Sequence, residues 1–152
     1  MTYYDREPRM GHAFSTADDI AKQAAVRRAC ERVWHCTMRP FGSYAPIDYY
    51  AERDNTLVAV VEIKCRDHPM GKHDTVWLNV RKWLALSLAS VGLGVAPIYV
   101  VGFTDALCWV DVRTIDASRV QIAGCRRVVK SHSDIEPVID IPIGQLRPLE
   151  GT

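Results

Sequence analysis

Residues 57–65, LVAVVEIKC, are the most strand-like segment of the chain. The first five are all apolar, and an unbroken apolar run is typical of a strand that is covered on both faces of a sheet. Because side chains alternate along a strand, Val58, Val60, Glu62 and Lys64 share one face. The segment therefore predicts a central strand that carries two charged side chains at one end of one face.

A second strand-like segment, residues 46–52, comes before this strand, and residues 54–56 between them are turn-forming types. With residues 54–56 as the loop, an antiparallel hairpin places Asp48 directly opposite Glu62, with Cβ atoms about 4.5–5.5 Å apart. A register shift of one residue would break this relation. The hairpin therefore predicts two carboxylates that face each other.

Two facing carboxylates beside a buried strand repel each other, and a positive charge must offset the repulsion. Lys64 could do this alone, as a structural ion pair. A divalent cation could do it better, because Mg²⁺ favours one or two carboxylates, a carbonyl and several waters. The carbonyl of Ile63 lies between the charged side chains and is a further candidate ligand. Lys64, about 6–7 Å further along the strand, could then orient or deprotonate a water, or stabilise charge on a phosphate.

These residues carry a resemblance to a known group of enzymes. Pro46-Ile47-Asp48 followed by Glu62-Ile63-Lys64 resembles the motif of the PD-(D/E)XK nuclease superfamily. Residues 45–112 and the tail over residues 134–142 resemble small phage-encoded members. The resemblance implies a restriction-endonuclease-like core, a Mg²⁺ cofactor that Mn²⁺ can replace, and hydrolysis of phosphodiester bonds in DNA that leaves 5′-phosphate and 3′-hydroxyl ends. It assigns Asp48, Glu62 and the Ile63 carbonyl to the metal and gives Lys64 a catalytic role.

The resemblance also implies roles for two residues on predicted helices. Many members complete the metal site with a glutamate on the first helix, which here is Glu31, although Arg27 and Arg28 fit a surface pairing with it equally. Many members also place a lysine or glutamine of the second helix near the scissile phosphate, which here is Lys82. The neighbours of Lys82 on its helical face are apolar and mostly small, so its ammonium is expected either to point into a cleft or to extend past the sheet edge.

Basic residues that could contact a nucleic-acid backbone lie in two segments. Arg66, Lys72 and His73 flank the loop after Lys64, and Arg126 and Arg127 belong to a basic segment without acidic residues. Both groups fit a solvated surface equally well. Bulk charge gives no further indication, because 19 basic and 18 acidic residues leave a net charge of +1.

The 152 residues predict one core, with residues 1–14 as an N-terminal arm and residues 15–152 as a single nuclease-like domain. The predicted order is α-β-β-β-α-β-β, an α/β fold in which helices flank a mixed central sheet of four to five strands. The predicted helices span residues 16–36 and 74–94, and the predicted strands span residues 37–41, 46–52, 57–65, 96–103 and 107–112, with shorter ones at 120–129 and 138–143. Pro142 predicts that the last of these is an edge strand.

Composition and patterning exclude several other classes. No apolar run approaches the roughly 18–20 residues of a membrane helix, and the N-terminus lacks a secretory signal. We therefore expect a cytoplasmic protein, in the host cytoplasm if it is phage-encoded, with no membrane partner and no small-molecule cofactor. Five cysteines without a C-x-x-C pair argue against a disulfide framework and a structural zinc site.

The sequence favours a metal-dependent endo- or exodeoxyribonuclease, but three alternatives remain open. The first is an inactive or accessory nucleic-acid-binding module of the same fold. The second is a dimeric resolvase of the Holliday-junction type. The third is an RNA-directed nuclease, which nothing in the sequence excludes, because a bound ion does not read the 2′-hydroxyl and no RNA-reading motif appears. For a nuclease of 17.1 kDa a homodimer is expected, since so small a chain has little surface for gripping duplex DNA alone.

Overall fold

The structure, a computed structural model, describes residues 16–42, 44–124 and 135–150. The predicted N-terminal arm and the candidate DNA contacts Arg126 and Arg127 lie outside these residues. In chain order the helices and strands are α1 (Ala17–Trp34), β1 (Thr37–Pro40), β2 (Tyr49–Arg53), β3 (Thr56–Cys65), β4 (Thr75–Asn79), α2 (Val80–Leu93), β5 (Ala96–Gly102), β6 (Leu107–Asp111), β7 (Val120–Gly124), β8 (Ile135–Pro142) and β9 (Arg147–Pro148).

The strands form two sheets. The larger sheet has six strands in the order β1-β2-β3-β5-β6-β9, and the smaller has three in the order β4-β8-β7. Within the larger sheet β3 and β5 are parallel, while its other neighbouring strands are antiparallel. This confirms the predicted α/β class with a mixed sheet. The sheet is wider than the predicted four to five strands, and the two-residue β9 at its edge is too short to carry a pattern of its own.

Strand β3 lies inside the larger sheet and is covered on both faces, as predicted. Val60 belongs to one buried cluster together with Leu86 of α2. Val61 and Ile63 belong to another, together with Cys30 of α1. Alternate residues of β3 therefore enter different cores, and the strand holds the two helices on opposite faces of the sheet.

The β2–β3 hairpin reaches the predicted register by a different route. Thr56 pairs with Arg53, so the turn contains only Asp54 and Asn55. Both have positive φ, 51° and 60°, which Asp and Asn tolerate better than most residues, and two-residue turns of this kind suit the twist of a hairpin. A bulge between Ala51 and Glu52 then shifts the pairing by one residue. The predicted three-residue loop was wrong, but turn and bulge together restore the expected register.

Residues 75–79 form strand β4 and not the start of the second helix, so the predicted helix start at residue 74 or 75 was wrong. Val76 and Leu78 are buried while Trp77 between them is exposed, which is the two-residue alternation of a strand. The helix begins at Val80 and ends before Gly94, which has a φ of 68°. The predicted glycine stop is therefore confirmed.

The prediction that Pro142 marks an edge strand was also wrong. Strand β8 is the central strand of the smaller sheet, between β4 and β7. Pro142 is its last residue and lies opposite Thr75, so the missing N–H falls at the end of the ladder. No helix within the described ranges is long and apolar enough to span a bilayer.

Candidate active site

The two predicted carboxylates lie side by side at one end of the β2–β3 hairpin. Tyr49 pairs with Val61, and extending this register by one residue sets Asp48 opposite Glu62. The Oδ2 atom of Asp48 accepts a hydrogen bond from the backbone N–H of Ile63 at 3.1 Å. The Asp48 carboxylate is therefore fixed against β3, beside the buried side chain of Glu62.

Lys82 brings a positive charge to both carboxylates from the first turn of α2. Its Nζ atom lies 3.0 Å from each oxygen of Glu62 and 3.6 Å from Oδ1 of Asp48. The side chain is 22% exposed, so the stem is largely covered. Of the two placements that the sequence left open for Lys82, the structure does not show extension past the sheet edge, because the ammonium turns toward the carboxylates.

The environment of Glu62 disfavours a second negative charge. The pKa of Glu62 is raised to about 7, mainly by burial and also by the charge of Asp48, and the opposing effect of Lys82 does not cancel these two. One ammonium therefore does not fully offset the cost of two carboxylates in this place. A divalent cation would offset more of this negative charge than the single ammonium does.

Lys64 does not supply the ion pair that the hairpin predicted. It is exposed at the end of β3, and within the described residues it forms no hydrogen bond or salt bridge. Its charge acts on Asp19 of α1 and on Cys65. The counter-ion of the carboxylates is Lys82, which leaves the Lys64 ammonium open to solvent.

The structure does not bring Glu31 to the carboxylates. The Oε1 atom of Glu31 accepts a hydrogen bond from the backbone N–H of Met38 at 2.8 Å, which fixes the start of β1 against α1. The α1 side chain that reaches the site is Gln23, whose Nε2 donates to Oδ2 of Asp48 at 3.3 Å. Eight residues separate Gln23 from Glu31, about 12 Å along a helix. Sequence reasoning missed Gln23, and its position beside Ala24 of the apolar stripe was the only indication.

Arg66 is tied to the smaller sheet next to the site. Its Nη2 donates to the carbonyl of Trp77 at 3.3 Å, and the same carbonyl accepts from the hydroxyl of Tyr99 at 2.9 Å. Tyr99 lies opposite Glu62 in the β3–β5 register. Burial raises the pKa of Tyr99 to about 12, so the hydroxyl stays a donor at neutral pH. The residues next to the carboxylates therefore link the two sheets.

The other predicted DNA contacts lie on the surface of the β3–β4 loop. Lys72 and His73 are both exposed. The ring of His73 meets the ring of His68 edge to face, with centroids 5.0 Å apart. Neither residue contacts the carboxylates, so any role in the reaction would be through substrate.

Comparison with known proteins identifies the family of the chain. The profile of a family described as "phage putative PDDEXK endonuclease" matches residues 9–149. The chain belongs to this family. The match confirms the resemblance drawn from Asp48, Glu62 and Lys64, and it makes the protein a nuclease. No curated protein matches this chain.

A solved structure similar to this chain is that of Hjc from Archaeoglobus fulgidus, described as a Holliday junction resolvase from an archaeal hyperthermophile. The two chains share 14% sequence identity with a TM-score of 0.48. The similarity covers 78% of this chain and 84% of Hjc.

PDDEXK nucleases generally use divalent metals, and the donor set here fits such an ion. No group of three His, Cys, Asp or Glu side chains is assembled among the described residues, but Mg²⁺ needs only one or two carboxylates and keeps several waters. The N–H of Ile63 points at Asp48, and the N–H and C=O of a strand residue point toward the same neighbour. The Ile63 carbonyl therefore faces the Asp48 side of β3, the side on which it was predicted to be a metal ligand.

Proposed function

We propose that this nuclease is a metal-dependent endo- or exodeoxyribonuclease in which Asp48, Glu62 and the Ile63 carbonyl hold Mg²⁺, with Mn²⁺ able to replace it. The observation that carries the proposal is the meeting of the two carboxylates around one ammonium, with Nζ of Lys82 3.0 Å from Glu62 and 3.6 Å from Asp48. A bound divalent ion would polarise the scissile phosphate and lower the pKa of a coordinated water.

The protein's own residues would position the reactants around that ion. The Ile63 N–H and Gln23 hold the Asp48 carboxylate in one orientation, which keeps the donor set preorganised. Lys64, open to solvent on β3, would orient the attacking water and neutralise charge that develops on the phosphate. Lys82 would assist from α2. Glu31 is not part of this assignment, because its carboxylate holds β1.

We further propose that DNA passes over the β3–β4 loop. Arg66, Lys72 and His73 line this loop, immediately after Lys64 in the chain, and phosphate contacts from such residues position a nucleic acid without reading its sequence. Arg126 and Arg127 would extend the contact from the segment that the structure does not describe. The place of action would be the host cytoplasm.

A homodimer is the proposed working form, since a single chain of 152 residues has little surface for holding a duplex. Sedimentation of the full chain, with and without duplex DNA, tests this. A species of twice the chain mass supports the proposal, and a monomer in both conditions contradicts it.

The central experiment is cleavage by the full chain, freed of metal and supplied with Mn²⁺, Mg²⁺ or chelator. The substrates are circular single-stranded DNA, linear duplex, a four-way junction and RNA of matched sequence. We expect cleavage of DNA with either ion and none with chelator. Cleavage in chelator would contradict metal dependence, preference for the junction would indicate a resolvase, and preference for RNA would overturn the substrate assignment.

The role of Lys64 has its own test. Lys64→Ala should reduce cleavage by at least about a hundredfold, on the scale of losing a transition-state donor, while calorimetric Mn²⁺ binding stays near the wild-type value. Arg39→Ala, which removes the exposed ion pair with Glu52, is the control and should leave cleavage unchanged. Activity that survives Lys64→Ala would refute the assignment of Lys64.

A further inference from the structure

Lys82 occupies the space between the carboxylates that a metal ion would share. Its Nζ makes two contacts of 3.0 Å with Glu62 and a longer one of 3.6 Å with Asp48. All three involve the carboxylate oxygens that are available to a cation, since Oδ2 of Asp48 is already taken up by Ile63 and Gln23. The ammonium is therefore the counter-ion of the metal-free site.

A divalent ion and this ammonium cannot share those oxygens without cost. Both are cations, and at a few ångströms in a partly covered site their repulsion is only weakly screened. The oxygens of Glu62 that face Lys82 would have to turn toward the metal, which removes the charge-assisted hydrogen bonds of the ammonium. The stem of Lys82 is unbranched and lies in the first turn of α2, so the ammonium can move by rotation of its own side chain.

We infer that Lys82 is a displaceable counter-ion, which pairs with Asp48 and Glu62 in the metal-free protein and leaves them when a divalent cation binds. This inference rests on the proposed function, because it takes the two carboxylates as the metal site. Once displaced, the ammonium is free to face a phosphate of the substrate. Binding of the metal and release of the Lys82 ammonium toward the substrate are then the same event.

The direct test is the chemical reactivity of the lysine amines, followed residue by residue by mass spectrometry after brief reductive methylation. Displacement predicts that saturating Mg²⁺ or Mn²⁺ raises the labelling rate of Lys82 several-fold over the rate in chelator. Lys22 is a matched control, because its Nζ also lies between two carboxylates, 2.9 Å from Asp18 and 3.0 Å from Asp67, and neither of these is a proposed metal ligand. Its labelling rate should not change. Labelling of Lys82 that stays constant or falls on metal binding would overturn the inference.

The second test is calorimetric Mn²⁺ binding to the metal-free full chain without any substrate. Lys82→Met should tighten Mn²⁺ binding by on the order of tenfold, since no ammonium has to be displaced, and a tenfold change is about 1.4 kcal/mol. Lys22→Met should leave the affinity unchanged. Should Lys82→Met fail to fold, Lys82→Gln keeps a hydrogen-bond donor beside Glu62 without the charge and should show the same direction.

The outcomes distinguish a failure of the inferred Lys82 displacement from a failure of the proposed metal site. If wild type binds Mn²⁺ and Asp48→Asn does not, the metal site stands, and unchanged affinity in both Lys82 variants would overturn only the role of Lys82. If wild type binds no Mn²⁺ that depends on Asp48, the proposed metal site fails, and the displacement fails with it.

Discussion

The carboxylate of Glu62 should make the stability of the metal-free protein depend on pH. Burial raises its pKa from the ordinary value of 4.5 to about 7, so between these values the folded protein holds a proton that the unfolded chain has released. The free energy of unfolding contributed by Glu62 must then fall as pH rises through this window. Glu62→Gln removes the titration, so the stability of the variant relative to wild type should increase from pH 4.5 to pH 7.

This comparison is made by urea denaturation in chelator at several pH values. Glu52→Gln, on the neighbouring strand β2, is the control and should keep the wild-type pH dependence. Parallel pH profiles for wild type and Glu62→Gln would contradict the account, because they would mean that Glu62 ionises equally in the folded and unfolded states.

Part of this site could be predicted from the sequence alone. The facing of Asp48 and Glu62 follows from strand alternation and hairpin register, which are local properties. Lys82 was recognisable because a lysine stood among apolar neighbours. Its partner was not predictable, because that depends on how α2 is laid across β3. Gln23 could not be found for the same reason, since only the docking of α1 brings it to Asp48.

At the scale of the elements, α1 approaches the larger sheet closely at one glycine. A Cβ atom built on Gly102 of β5 would lie 3.0 Å from Cγ2 of Val26 on α1. Valine has little rotamer freedom in a helix, so relief of this contact requires Val26 and its backbone to move by a few tenths of an ångström. Gly102→Ala should therefore lower the free energy of unfolding by about 1–3 kcal/mol, the usual cost of overpacking.

Gly92 in α2 is the matched substitution for this test. A Cβ atom built there meets nothing within 4 Å, and alanine is favoured over glycine in a helix by about 0.5–1 kcal/mol. Gly92→Ala should thus raise the free energy of unfolding in the same urea experiment. Equal effects of the two substitutions would show that close approach of α1 to the sheet is not what requires Gly102.

The misassigned elements share a physical cause. Residues 75–79 and 80–93 are both rich in apolar residues, and the boundary between β4 and α2 is set by the pairing of β4 with β8, for example Val76 with Ile141. That pairing joins residues far apart in the chain, and local periodicity does not encode it. Strand β3 was predictable because its long apolar run indicates a buried strand even when its pairing partners are unknown.

At the scale of the whole molecule, the candidate site is where separate layers meet. Gln23 comes from α1 on one face of the larger sheet, Asp48 and Glu62 from the sheet itself, and Lys82 from α2 on the other face. Tyr99, beside Glu62 in the sheet register, donates to the smaller sheet through the Trp77 carbonyl. The proposed metal donors therefore come from the larger sheet, while α1 orients Asp48 through Gln23 and α2 supplies the counter-ion Lys82.

Because strand pairing in the folded protein brings the proposed metal donors together, metal binding should stabilise the folded state. A ligand that binds only the folded state at about 100 times its dissociation constant adds about 2.7 kcal/mol to the free energy of unfolding. When Mn²⁺ at about 100 times its dissociation constant replaces chelator, we expect the free energy of unfolding measured in urea to rise by this amount in wild type. In Asp48→Asn it should not change. Asp67→Asn, which alters a surface carboxylate paired with Lys22, should retain the full shift. Equal stabilisation of wild type and Asp48→Asn by Mn²⁺ would place the bound ion elsewhere on the molecule.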